Sequence, residues 1–199
     1  MWQQIVDQQG FAITAPLLTP SEIEIVRNAL NQPSISRSRA GVRHALGLPE
    51  VTELARDPRL LSIAQEILGE GAFPYHATLF DKSPASNWLV VWHQDTALPL
   101  RERRDLQGWG PWSVKEGVVY AHAPANALSR VLALRIHLDD STERNGPLRV
   151  LPGSHERGVM TDEEIERLVP QTSPLGVRRP KRRCSGDASA SRSFVVKIA

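Results

Sequence analysis

The feature that most constrains this chain is its texture from residue 72 onward. Short apolar runs with alternation, bounded by Pro, Gly and Asn, recur at 73–80, 88–95, 118–122, 131–138 and 148–151. Alternation at a period of two places successive side chains on opposite faces of a strand, so these runs are read as strands. Asn145-Gly146-Pro147 supplies a strong turn between two of them. No helical pattern of comparable length intervenes, which points to an antiparallel barrel or sandwich rather than to alternating β and α units.

Ahead of this region lie two amphipathic helices. Thr19-Pro20-Ser21-Glu22 combines an N-cap, a proline suited to the first helical position and a capping-box glutamate, and Ile23, Val26 and Leu30 follow on one face. Asp57-Pro58 opens a second helix, whose stripe of Leu60, Leu61, Ala64, Ile67 and Leu68 ends at Gly69. Thr161-Asp162-Glu163-Glu164 is another capping box. The stretch 99–111, rich in Arg and Gly without periodicity, is expected to be a surface excursion, a lid being one role for it.

Charge is unevenly placed. The chain carries +2 overall, yet residues 175–199 hold seven basic residues against one acid, which leaves the rest at −4. The basic character therefore belongs to a short tail, and the balance of the whole chain says little for nucleic-acid binding. Two regions are expected: a β-domain with N-terminal helices over 1–170, and a basic, low-complexity tail over 171–199, disordered or out of frame. With one cysteine, Cys184, no internal disulfide is possible. No apolar run approaches the ~18 residues of a membrane span, so the expected setting is cytoplasmic with no membrane partner.

The sharpest chemical feature is Trp92-His93-Gln94-Asp95. On a strand, residues two apart share a side, so an imidazole and a carboxylate project together. They form two of the three ligands of a facial triad for non-haem Fe(II). A bare H-x-D is equally compatible with a surface His–Asp pair, and its context decides between them. The combination LFDK, NWLVVWHQD, LRIHLDD and NGPLRVLPGSH, in that order, resembles the phytanoyl-CoA dioxygenase family of Fe(II)- and 2-oxoglutarate-dependent oxygenases, from about residue 11 to 169.

The resemblance implies a double-stranded β-helix, a jelly roll with flanking helices, holding Fe(II) and the cosubstrate 2-oxoglutarate and hydroxylating a small organic molecule. His93 and Asp95 match the family's first two iron ligands. The family's third ligand, a distal His in a run like MRPLLLHAS, and the Arg about ten positions beyond it that anchors 2-oxoglutarate have no counterpart, since no His follows Pro174. Impaired activity and a barrel incomplete at its C-terminal side are therefore expected. The genetic code offers an origin for this departure. Codons compatible with residues 186–199, read one nucleotide later from inside the Asp187 codon, permit MRPLLVHSSSKS, which contains the missing imidazole. A shift of frame near Pro174 and Leu175 is the expectation that follows.

Other residues carry two readings each. Lys82 contacts a 2-oxoglutarate or substrate carboxylate, or is a plain surface lysine. Arg135, alternating with Leu134 and Ile136 and sharing a face with His137, lines the cavity or simply gives the sheet a polar face. His155, in the Pro152-Gly153-Ser154-His155 turn, is read as bonding to its loop. Two other function classes fit the chain: a catalytically inactive member that binds a ligand or partner, and a nucleic-acid binder acting through its tail. Substrate identity and oligomeric state are not fixed by the sequence.

Overall fold

A computed structural model describes residues 1–32, 35, 37, 41–82, 90–140, 148–176 and 191–199. In chain order the elements are α1 (Trp2–Gln9), α2 (Pro20–Leu30), β1 (Gly41–Val42), α3 (Pro49–Ala55), α4 (Pro58–Leu68), β2 (Pro74–Lys82), β3 (Ala97–Leu100), β4 (Trp112–Lys115), β5 (Val118–His122), α5 (Ala125–Leu128), β6 (Leu132–His137), β7 (Arg149–Val150), α6 (Asp162–Leu168), β8 (Leu175–Gly176) and β9 (Ser191–Ile198).

The two predicted capping boxes form as read. Thr19 caps α2 by accepting from the Glu22 amide while Glu22 accepts from the Thr19 amide, and Thr161 and Glu164 repeat the arrangement at α6. Each cap satisfies amide donors that the first turn leaves without helical partners. Asp57 caps α4 in the same sense, accepting from the Arg59 amide at 2.8 Å.

All strand pairs are antiparallel. The sheets run β1-β2-β9-β6, β3-β5-β4 and β7-β8. In the four-stranded sheet the register His76↔Lys197, Thr78↔Val195 and Phe80↔Ser193 on one side of β9, with Ala133↔Lys197, Arg135↔Val195 and His137↔Ser193 on the other, sorts the side chains by face. Ala77, Leu79, Val196, Ile198, Leu134 and Ile136 lie on one face and pack against Leu30, Val51, Leu54, Leu60 and Ala64 of the helices. The opposite face carries His76, Thr78, Phe80, Ser193, Val195, Lys197, Ala133, Arg135 and His137. The helices thus act as a buttress on the apolar side and leave a largely polar face turned inward.

Three expectations require correction. First, residues 191–198 are not an unpacked tail. They form β9, the strand bonded on both sides by β2 and β6, with Val196 and Ile198 essentially inaccessible to solvent. Burying each of those side chains stabilises the sheet by roughly 1.5–3 kcal/mol. Phe194, Val196 and Ile198 do alternate with Val195 and Lys197, but the basic, low-complexity run before them masks this short pattern, and its partners lie far away in sequence. The basic run 178–183 itself falls outside the described residues.

Second, residues 90–96 carry no ladder pairing, the chain bends at Trp92 and the Thr96 amide donates to the Gln94 carbonyl at 3.1 Å, so His93 and Asp95 sit on an irregular segment rather than on a regular strand. The physical reason is local: the Gln94 side chain takes up backbone groups at Gly158 and Met160, where a strand would take up those of a neighbour. Residues 88–89, the start of the strand expected over 88–95, fall outside the described residues, as does the 145–147 turn. Third, the excursion expected over 99–111 is shorter. Its first residues end β3, which pairs with β5, and β4 begins just after it and pairs with the other edge of β5.

Candidate active site

The segment holding His93 and Asp95 is pinned from its far side. Gln94 Nε2 donates to the Gly158 carbonyl at 2.8 Å, and the Met160 amide donates to Gln94 Oε1 at 2.7 Å. His93 and Asp95 flank this anchored residue and converge, with His93 Nε2 3.5 Å from Asp95 Oδ1.

The other imidazole nitrogen fixes the tautomer. His93 Nδ1 lies 2.8 Å from the Val91 carbonyl, which can only accept, so Nδ1–H donates and Nε2 is the nitrogen that faces Asp95. In a neutral ring Nε2 offers its lone pair there, and a cation seated between it and the carboxylate oxygen satisfies both. That is the donor chemistry of a chelating pair, with the backbone carbonyl in the orienting role that such ligands need. Both side chains are about half exposed or more, so the pair opens to incoming groups.

Asp95 also ties this segment to the polar face of the four-stranded sheet. Its Oδ2 is 4.0 Å from Lys197 Nζ on β9, and Lys197 is only 13% exposed. Arg135, from β6 on the same face, is half-buried; its guanidinium lies 5.7 Å from the Phe80 ring centroid, and its buried Nε has no hydrogen-bond partner. Burial lowers the Arg135 pKa, while the charge on Asp95 acts in the other direction. Tyr75, at the irregularity between Pro74 and His76, has a buried hydroxyl without a partner, and burial pushes it up to about 12 with Asp95 and Tyr120 adding to the effect. Ser193 is 1% exposed, and its Oγ is likewise unpartnered. Unpaired polar atoms gathered on one inward face mark a place where a polar guest or water completes the hydrogen bonding.

Beside this face stands a ring cluster that sequence reading missed. His76 packs edge-on against His44 with centroids 5.4 Å apart, and Tyr120 of β5 lies 6.3 Å from His76. Burial holds the His76 pKa down at about 4, assisted by Lys197, His44 and Arg43, so it is neutral at physiological pH. His44 had no spacing relation to any other histidine; only the pairing of β2 with its neighbours brings the rings together.

Of the four predicted site residues, the structure brings His93, Asp95 and Arg135 to one region. The backbone of Lys82 ends β2 opposite Ser191, but its side chain lies outside the described residues. His155 bonds away from the site, its Nε2 donating to the Asp7 carbonyl at 3.0 Å. Imidazole plus carboxylate fits two positions of a ferrous facial triad. Among the described residues no group of three His, Cys, Asp or Glu side chains is placed to hold a metal ion, so those residues supply two of the three donors.

The chain is 25% identical over 181 residues to the ectoine dioxygenase of Bordetella bronchiseptica, covering 82% of this chain and 52% of that protein. It is 29% identical over 109 residues to the L-proline trans-4-hydroxylase of Streptomyces griseoviridis, covering 55% of this chain and 33% of the relative. The chain thus spans about half the length, or less, of these curated relatives. Among solved structures, EctD from S. alaskensis with bound Fe superposes with a TM-score of 0.62 at 16% identity, covering 98% of this chain and 74% of that one. The non-heme alpha ketoglutarate dependent carbocyclase SnoK superposes with a TM-score of 0.69 at 17% identity, covering 98% and 81%. These likenesses establish the jelly-roll fold, a double-stranded β-helix with flanking helices. The phytanoyl-CoA dioxygenase family model matches residues 6–174, the span that contains the capped helices, β2 to β7 and the His93–Asp95 pair, and this chain belongs to that family.

Proposed function

We propose that this chain is an Fe(II)- and 2-oxoglutarate-dependent oxygenase acting on a small polar molecule, with activity reduced by its incomplete donor set. The observation that carries the reading is the convergence of His93 Nε2 and Asp95 Oδ1 beside an inward polar face containing the half-buried Arg135. Solved relatives of the same fold include EctD with bound Fe and EctD with 2-oxoglutarate and 5-hydroxyectoine.

In this reading His93 and Asp95 hold ferrous iron. Ferrous iron held there with 2-oxoglutarate would supply the oxidising chemistry: O2 would give one atom to the substrate C–H bond and the other to the succinate formed as the cosubstrate loses CO2. The chain's own groups do the rest. Val91 keeps the proton on Nδ1 of His93 so that Nε2 stays a donor. Gln94 locks the segment so that the pair does not splay. Arg135 offers a half-buried cation to a carboxylate of the cosubstrate or substrate, a role in which its unpartnered Nε gains an acceptor. The Lys82 side chain stands as a second carboxylate contact. The shift of frame near Pro174 accounts for the missing donor: the imidazole it restores falls on the codons of Ser193 and Phe194, and Ser193 lies on the inward face of β9.

Succinate formation from 2-oxoglutarate with added Fe(II) and ascorbate tests the proposal. Slow turnover that disappears in His93→Ala and Asp95→Ala is expected. Turnover as fast as that of a family member with three protein donors, or turnover indifferent to both substitutions, overturns it. The shortage of a third donor among the described residues favours a second reading, a non-catalytic member that binds a dicarboxylate. Saturable 2-oxoglutarate binding without succinate formation marks that case.

A further inference from the structure

Lys197 lies on the inward face of β9, between His76 of β2 and Ala133 of β6, and its side chain is 13% exposed. Its ionic partner is Asp95, whose Oδ2 lies 4.0 Å from Nζ. A nearly enclosed ammonium keeps a position of this kind only when a carboxylate compensates it, since a buried charge without a partner is strongly disfavoured. Asp95 is asked to serve twice, as the counter-ion of Lys197 and as the carboxylate of the metal pair. Arg135, half-buried on the neighbouring strand, is a second cation within the electrostatic reach of Asp95. A divalent ion bound between His93 and Asp95 therefore enters a neighbourhood that is already net positive.

We propose that Lys197 is a built-in counter-ion that competes with the metal for Asp95 and sets the metal affinity of the site. The ammonium holds the carboxylate while the site is empty, and a bound divalent cation must displace or tolerate it. This rests on His93 and Asp95 being the metal pair, and it names the residue, beyond the missing donor, that weakens binding. The site of this chain is then a balance between an internal and an external cation.

Co(II) titrated into the full chain, with binding followed by calorimetry and by the visible spectrum of the ion, tests the proposal. The variants are Lys197→Met, Lys197→Arg and Asp95→Asn, with Lys197→Gln as a second neutral replacement and thermal melts to confirm folding. Removing the positive charge is expected to tighten Co(II) binding about tenfold or more, whereas Lys197→Arg stays close to the parent. Asp95→Asn is expected to weaken or abolish binding. If both neutral variants bind Co(II) as the parent does, or more weakly, while Asp95→Asn still weakens binding, the role given to Lys197 is wrong and the metal pair stands. If Asp95→Asn binds as the parent does, the metal pair itself is wrong and the proposal falls with it.

Discussion

Asp139→Asn probes how firmly the C-terminal strand is built into the sheet. Asp139 follows β6 and is 9% exposed. Its Oδ2 accepts from the Arg192 amide at 2.9 Å and from Arg192 Nε at 2.8 Å, its Oδ1 accepts from Arg192 Nη2 at 3.2 Å, and Arg27 of α2 donates to the same Oδ1. One carboxylate thus joins the start of β9 to β6 and to the helical layer. Removing one partner from a fully buried ion pair costs about 3–5 kcal/mol. Arg192 and Arg27 keep 20% and 30% exposure, so part of their charge stays hydrated. Discounting for that leaves about 2–3 kcal/mol. In a chain of this size each kcal/mol moves the melting temperature by about 2–4 °C, so a fall of about 4–12 °C is expected. Thermal unfolding followed by circular dichroism at fixed ionic strength measures it. Glu24→Gln, which removes an exposed partner of the same Arg27, is the control and is expected to shift the melt by less than about 2 °C. Equal small shifts for both variants would refute the claim that β9 is locked in place through Asp139.

Arg135→Met removes a half-buried cation with an unpartnered Nε, so stability without ligand is expected to hold or rise, while 2-oxoglutarate affinity falls about tenfold or more; unchanged affinity contradicts its carboxylate role. His76 has a pKa held near 4 in the folded chain against 6.5 in a free imidazole. Between these values the unfolded chain binds a proton that the folded chain refuses, so stability falls as pH drops from 6.5 towards 4, and His76→Gln is expected to flatten that dependence in denaturant titrations. Resequencing the gene across the codons for Pro174 to Asp187 is expected to reveal a gained or lost nucleotide; relatives of the gene that keep the same frame and tail contradict the shift.

What could be read from the sequence followed the range of the interactions. Caps are local, so Thr19, Asp57 and Thr161 marked their helices correctly, and the alternation over 118–122 and 131–138 delivered β5 and β6 almost to the residue. β9 depends on partners in β2 and β6 that lie more than fifty residues before it, and its composition points elsewhere. At the site, the closeness of His93 and Asp95 was legible from their spacing, while their reading as a metal pair came from the motifs around them. The manner in which they are held was not legible, because Gln94 reaches a loop more than sixty residues away. Lys197 beside Asp95 and His44 beside His76 are likewise products of strand pairing, without any local trace in the chain.

The central claim is that one imidazole and one carboxylate share a single ion. Anaerobic equilibrium dialysis of Fe(II) against the parent, His93→Ala, Asp95→Ala and the double variant measures this directly. Chelation predicts that each single substitution weakens binding about tenfold or more and that the second adds little once the first has broken the chelate. Single variants that bind Fe(II) like the parent, or losses that simply add, would contradict it.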